Sequence, residues 1–362
     1  MTGATRSLIT LMRRRWRKLV VRGLRRVAGD DAYLRARGIR RPDATERLGR
    51  LGDPERVYDP VSAGEEMPDT FQQLRQRDSV MPVYDPQIGQ ASDVGWGADD
   101  LVIGLELGGE ARAYPVRYLD KREMVLDDLG GIPVLVSWCP KCGTALVHRR
   151  QLDGQPLVVG NQGGLWGNAM TWWDHDTGSI WSQPLGKCIA GPRKGRKLEL
   201  LASTLSTWGS WRSSYPATTV LRAPSRAHAY DPADLALVVA SADNAVGFPI
   251  DKLRAVRVAN ACLVEAPIVA MVDPGDDNAW SVFSRRLGTA TLTFDYRNGL
   301  ITDRETGSTW DARSGVANAG VHAGKRLERV PSATSLPADF LTFWPDGQVW
   351  SRVAAVRSCE AV

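Results

Sequence analysis

Cys139-Pro140-Lys141-Cys142 is the stretch of this 362-residue chain whose residue types and spacing are best suited to chemistry. Two thiols separated by two residues can both reach one ion at about 2.3 Å without straining the turn, which suits tetrahedral coordination. The same pair could instead cycle between dithiol and disulfide, with Lys141 favouring the thiolate. A closed zinc site takes four ligands, and no second Cys-x-x-Cys occurs, so other residues must complete it. His148 stands six positions after Cys142, and on an unbroken strand its imidazole faces the same side as that sulfur. Met170 offers a thioether, which together with thiolate favours Cu(I), whereas thiolate with imidazole suits zinc or copper. His175 and Cys188 rank after these. The expected metal ligands are therefore Cys139, Cys142, His148, Met170 and His175, and the expected cofactor is a copper or zinc ion.

Around the pair, residues 134–138 and 144–149 read as two strands joined by a tight turn, a knuckle that aims both sulfurs at one point. Residues 160–168, rich in Gly and amide side chains with Trp166 among them, have the composition of a loop over a pocket.

The chain also repeats itself. Residues 105–133 lie over 239–267 at a shift of 134, so that Tyr114-Pro115 meets Phe248-Pro249 and Ile132-Pro133-Val134 meets Ala266-Pro267-Ile268. At a shift of 129, Asp174, Thr177-Gly178-Ser179 and Trp181 meet Asp303, Thr306-Gly307-Ser308 and Trp310. Aligning Arg149 with Arg285 gives a shift of 136, so the first copy should hold about seven extra residues before Met170. Both copies consist of short Val, Leu, Ile and Trp segments broken by Gly, Pro and Asp, which is strand-and-turn composition. The expected fold is mainly β (β-rich α+β), two diverged antiparallel β-units packed together about a pseudo-twofold axis, with an N-terminal basic amphipathic helix. The divisions are 1–28 for the helix, 29–100 for a polar wrapping arm, 101–222 for the first unit, 235–345 for the second and 346–362 for a tail.

Comparison of the copies replaces an alignment. What both keep serves their common fold, so Asp174 and the Thr-Gly-Ser turn read as structural. What only one keeps is a candidate for function. Cys139-Pro140-Lys141-Cys142 falls on Asp273-Pro274-Gly275-Asp276, His175 on Arg304 and Cys188 on Ala317, so the thiols belong to the first copy alone.

Of the net charge of +5, the first 41 residues hold +11, which leaves −6 on the remainder. That body lacks the positive field of a nucleic-acid-binding domain, and nucleic acid is not an expected partner. Residues 7–27 place Leu8, Met12, Trp16, Leu19 and Val20 at helical steps with arginines between them, a pattern suited to an anionic membrane surface. An odd count of five cysteines fits a reducing compartment, so the expected location is cytoplasmic, peripheral at the inner face of the membrane. The absence of Walker, dinucleotide and nucleophile-elbow motifs argues against a nucleotide cofactor and against a serine hydrolase.

Val102-Ile103-Gly104, residues 108–115, Gly130-Gly131-Ile132-Pro133, the knuckle, and Asp174 through Trp181 to Gln183 together resemble the prokaryotic family known as domain of unknown function 3179. The resemblance spans about residues 83–220 and extends more weakly to the second copy. It brings no settled activity. Its members often carry export signals or membrane anchors, where this chain has only the basic leader. The resemblance implies Phe and Arg where His148 and His175 stand.

Three functional readings follow from the residues. The first is a metal-binding protein, and within it a metal-dependent oxidative enzyme acting on a small molecule or peptide. The second is a thiol–disulfide redox protein, and the third a membrane-recruited interaction scaffold without catalysis.

Overall fold

Pro133 to Trp138 and Pro267 to Val272 are nearly unbroken apolar runs, which fits strands buried on both faces. A computed structural model, which describes residues 57–226, 230–241 and 244–351, has each run at the centre of its copy. The expected basic helix of residues 7–27 lies outside the described residues, as does the first part of the arm. None of the helices among the described residues is long and apolar enough to cross a membrane.

From the arm, β1 (Gln72–Gln73) and β2 (Ile88–Gln90) join sheets of the first copy as edge strands. That copy continues as β3 (Leu101–Leu107), β4 (Glu110–Pro115), α1 (Val116–Leu119), β5 (Met124–Leu129), β6 (Ile132–Cys139) and β7 (Thr144–Arg149). A small hairpin, β8 (Gln151–Leu152) and β9 (Gln155–Pro156), leads into β10 (Val159–Trp166), β11 (Ala169–Asp174), β12 (Ile180–Ser182) and β13 (Lys187–Ala190). It closes with β14 (Leu200–Leu201), β15 (Ser203–Thr207), α2 (Trp208–Ser214) and β16 (Thr219–Leu221).

The second copy repeats this order. It has β17 (Ala236–Ser241), β18 (Asn244–Pro249), α3 (Ile250–Val256), β19 (Val258–Leu263), β20 (Ala266–Val272) and β21 (Trp280–Ser284). The hairpin β22 (Arg286–Leu287) and β23 (Ala290–Thr291) precedes β24 (Phe294–Arg297), β25 (Leu300–Asp303), β26 (Thr309–Trp310) and β27 (Ala317–Ala319). Last come β28 (Ala333–Ser335), α4 (Pro337–Phe343) and β29 (Gln348–Val349). Because β29 pairs with β18 in parallel, as β16 pairs with β4, the second copy runs past residue 345 into what the sequence suggests is a tail.

Equivalent residues make equivalent bonds. Asp174 accepts from Thr177 N (2.8 Å) and Trp181 Nε1 (2.9 Å), and Asp303 from Thr306 N (2.6 Å) and Trp310 Nε1 (2.9 Å). The buried Arg150 and Arg285 each donate Nη1 to a leucine carbonyl at 3.1 Å, Leu157 and Leu292 respectively. Arg150, not Arg149, is therefore the partner of Arg285. The surplus in the first copy is six residues, since Val159 to Asp174 pairs end to end as Phe294 to Asp303 does. It is also not a loop. Residues 160–168 extend the β10–β11 hairpin, and an irregular register between Asn161 and Leu165 hides the period of two that marks a strand.

Alternation divides the core. Val134, Val136 and Trp138 point into a central cluster shared with Ile268, Ala270 and Val272 of the second copy. Leu135 and Cys139 point into a core built by the first copy, with Met170, Trp172 and Trp181, against which Ala333 and Phe343 of the second copy pack, while Val269 and Met271 point into the equivalent core of the second. Fully buried tryptophans such as Trp138 and Trp172 each stabilise this packing by roughly 4–6 kcal/mol before ordering entropy is subtracted. The helices seat an aromatic on the neighbouring sheet over a glycine, Trp211 on Gly104 of β3 and Phe340 on Gly247 of β18, so the glycine sits on different strands in the two copies.

Asp174→Ala and Asp303→Ala should each lower the unfolding free energy by about 3 kcal/mol, because several buried donors lose one charged acceptor. Asp174→Ala should cost more, since Arg193 Nη1 also binds that carboxylate at 2.6 Å. Urea denaturation checks this, and losses under about 0.5 kcal/mol would mean the turn is dispensable.

Candidate functional site

β6 ends at Cys139, which sits opposite Thr144 of β7, and the intervening turn closes at Gly143 with φ +63°. A side chain at Gly143 would also meet Leu235 and Tyr230, so both conformation and space require glycine there. Cys139 and Cys142 are buried at 1% and 0% exposure, with Lys141 exposed between them.

The second copy holds the knuckle in place. Leu336 N donates to Cys142 O at 2.8 Å, and Thr334 Oγ1 donates to Gly143 O at 2.8 Å while accepting from Ala145 N at 3.1 Å. The tip of the extended β10–β11 hairpin closes over the sulfurs. Asn168 O lies 4.0 Å from Cys139 Sγ, Asn168 Nδ2 donates to Asp339 at 3.1 Å, and Trp166 packs edge-on against Phe343 at 5.3 Å.

The two thiols differ in their electrostatics. Cys139 is held below the ordinary thiol value chiefly by a hydrogen bond from Cys142, opposed by burial and assisted by the backbone N–H groups of Cys142, Met170 and Lys141. Cys142 is driven well above it by that same shared hydrogen bond and by burial, although Thr144 Oγ1 lies 2.9 Å from its sulfur. Of the two, Cys139 is the sulfur whose thiolate the site favours. Tyr230, which falls between the divisions 101–222 and 235–345 expected from the sequence, is pushed up to about 12 by burial and by the two thiols. No local sequence signal marks it, because its place beside Trp138 (5.4 Å, edge-on) is set by tertiary packing.

The structure brings Cys139, Cys142 and Met170 together and leaves both histidines apart. His148 does face the same core as the sulfurs. It stands four residues beyond Thr144, however, which is about 13 Å along the strand. His175 lies five residues beyond Met170, about 16 Å along β11, where it stacks on Trp173 (4.1 Å) and meets the Tyr84 hydroxyl through Nε2 at 3.1 Å. Among the described residues no three His, Cys, Asp or Glu side chains are grouped so as to hold one ion. Cys188 is pushed to about 12 by burial, and Cys262 is disulfide-bonded.

In the second copy Asp273 and Asp276 replace the thiols and grip Arg313, at 2.9 Å to Nε and 2.8 Å to Nη2. Arg313 Nη1 then reaches Ser210 O (3.2 Å) and Ser214 Oγ (2.6 Å) on α2. The packing is reciprocal: each knuckle is held by the last helix segment of the other copy.

A titration of thiolate absorbance should reveal one step below the value of a free thiol, absent from Cys139→Ser and unchanged in Cys188→Ser. Burial lowers His148 from 6.5 to about 3. The unfolded chain takes up that proton near pH 6.5 and the folded chain only near 3, so stability is intact above 6.5 and declines as pH falls through this window. The loss should be about 1.4 kcal/mol per pH unit, and His148→Phe, the residue at the equivalent Phe283, should flatten it in denaturation curves taken from pH 7 to 4.

No curated protein and no solved structure matches the chain. Residues 77–234 match the model of a family described as "Protein of unknown function (DUF3179)", a span that contains β3 to β16, both thiols and Tyr230 and stops just before β17. Over residues 77–234, its first copy and part of its arm, the chain belongs to that DUF3179 family.

Proposed function

We propose that the chain binds a soft metal ion at Cys139 and Cys142, copper before zinc, and runs an oxidative reaction there on a small molecule or peptide. One observation carries the reading: two buried cysteines lie beside Met170, the hydrogen bond between them lowering Cys139 and raising Cys142, with backbone N–H groups aimed at one sulfur and no third His, Cys, Asp or Glu in reach among the described residues. Cu(I) accepts two thiolates, with or without a thioether, whereas a structural zinc site wants four ligands. An ion would take the place of the thiol protons, removing the penalty that keeps Cys142 protonated. The chemistry such an ion supplies is electron transfer. The chain supplies two sulfurs, a covering hairpin that excludes water, and N–H groups that stabilise the sulfur charge.

A second reading has its own support. A depressed Cys139 paired with a raised Cys142 is the division of labour of a dithiol that cycles to a disulfide, one sulfur attacking while the other holds the proton. Their burial favours the ion over exchange with a protein partner. Recruitment to an anionic membrane at its inner face is proposed on residues 7–27 alone.

Elemental analysis of tag-free protein purified without chelators tests the proposal. Near-stoichiometric copper, lost in Cys139→Ser/Cys142→Ser, kept in Cys188→Ser and weakened in Met170→Leu, is expected. Metal-free wild type with two titratable thiols at this pair would end the metal reading in favour of the redox one.

A further inference from the structure

The core beneath the thiols is polar where the same core of the second copy is not. Ser137 of β6 lies between Leu135 and Cys139, so alternation turns it into the same first-copy core, and Thr144 of β7 stands opposite Cys139. Gln183, one residue past β12, donates Nε2 to Ser137 Oγ at 3.1 Å and to Thr144 O at 3.2 Å. Thr144 Oγ1 in turn lies 2.9 Å from Cys142 Sγ. A polar chain therefore leads from Gln183 through Thr144 to one of the two sulfurs, with Ser137 as a second anchor for the amide. All three side chains are buried, Ser137 and Gln183 at 0% and Thr144 at 3% exposure.

The second copy builds its core without any of them. Met271 stands at the position of Ser137, because Val258 pairs with Met271 as Met124 pairs with Ser137. Ala279 stands at that of Thr144, because Asp273 N bonds Ala279 O where Cys139 pairs with Thr144. Ala312 follows Trp310 by two residues as Gln183 follows Trp181. The exchange keeps volume, since a large Gln and a small Ser have become a small Ala and a large Met. Burial of polar groups is unfavourable unless their bonds to water are all replaced, and here they are not. Thr144 O can only accept, so the amide nitrogen must face it, which leaves Gln183 Oε1 buried without a hydrogen-bond partner among the described residues. Apolar residues meet the packing demand in one copy, so the other keeps its less stable set for a purpose besides folding.

We infer that Gln183 is a positioning residue of the thiol site: with Ser137 and Thr144 as its partners it holds the Cys142 sulfur in place for the ion. The inference rests on the copper reading above. A sulfur that has given up its proton to an ion can only accept, which makes the Thr144 hydroxyl its donor. Anchoring Thr144 from Gln183 keeps that bond in one geometry, the way groups behind a metal ligand fix its orientation.

Competition for Cu(I) between the full chain and a chromophoric chelator, with thermal unfolding of each variant, tests this. Ser137→Met/Gln183→Ala installs the second copy's pair at equal volume. Its unfolding midpoint should equal or exceed that of wild type, because both partners of a buried bond are removed together. Its Cu(I) affinity should nonetheless fall about 10–100-fold. Thr144→Val should weaken Cu(I) in the same range, and Thr144→Ser, which keeps the hydroxyl, should bind as wild type. Unchanged affinity in Ser137→Met/Gln183→Ala, beside a wild type that loads Cu(I), would overturn this inference and leave the copper reading standing. A wild type that takes up no Cu(I) would overturn both. If the double variant does not fold, Thr144→Val decides, and affinity equal to wild type there would overturn the inference.

Discussion

Burial of β6 and β20 on both faces is the constraint from which the rest of the architecture follows. A strand with water on neither side must find apolar partners for alternate residues in two directions. Each copy meets one of these demands chiefly with its own sheet, the one that carries its Thr-Gly-Ser turn, and the other only by meeting its counterpart in the central cluster. The copies therefore cannot be described as two beads on a string. Their shared interior makes one depend on the other, and it brings each knuckle against the other copy's final helix.

Within that frame the hydrogen-bond skeleton has stayed fixed while the knuckles have changed. Asp174 and Asp303 hold the same donors, and Arg150 and Arg285 brace the same turns. At the knuckle the first copy places two thiols under a hairpin lengthened by four residues on one strand and two on the other. The second places two carboxylates around an arginine and leaves its hairpin short. A carboxylate pair with a guanidinium forms a closed electrostatic unit that needs nothing else. Two thiols coupled by one hydrogen bond form no such unit, and on this asymmetry rests the proposal that the first knuckle is the reactive end.

Much of this was readable in the sequence wherever the cause is local. The Thr-Gly-Ser turn needs those residue types, Cys139 and Cys142 are fixed by two intervening positions, and the apolar runs mark the central strands. The readings that needed tertiary knowledge fared differently. Residues 160–168 look like a loop because glycine and an irregular register erase alternation, though they pair as a strand. His148 faces the right way, but facing says nothing of depth, and four residues of strand put it out of reach. Tyr230, Thr334 and Asp339 come to the knuckle from far along the chain, and no spacing announces them.

Because Leu336 and Thr334 bond the carbonyls of Cys142 and Gly143, part of the wall around the thiols is supplied from beyond the span that matches the family. The chain is in this sense a dimer written as one polypeptide. A relative possessing a single copy would leave those carbonyls to water and its sulfurs open to oxidants, unless a second chain docked where β28 and α4 do here. Fusion of the two halves would then remove a dependence on protein concentration and let the two knuckles differ, as they do in this molecule.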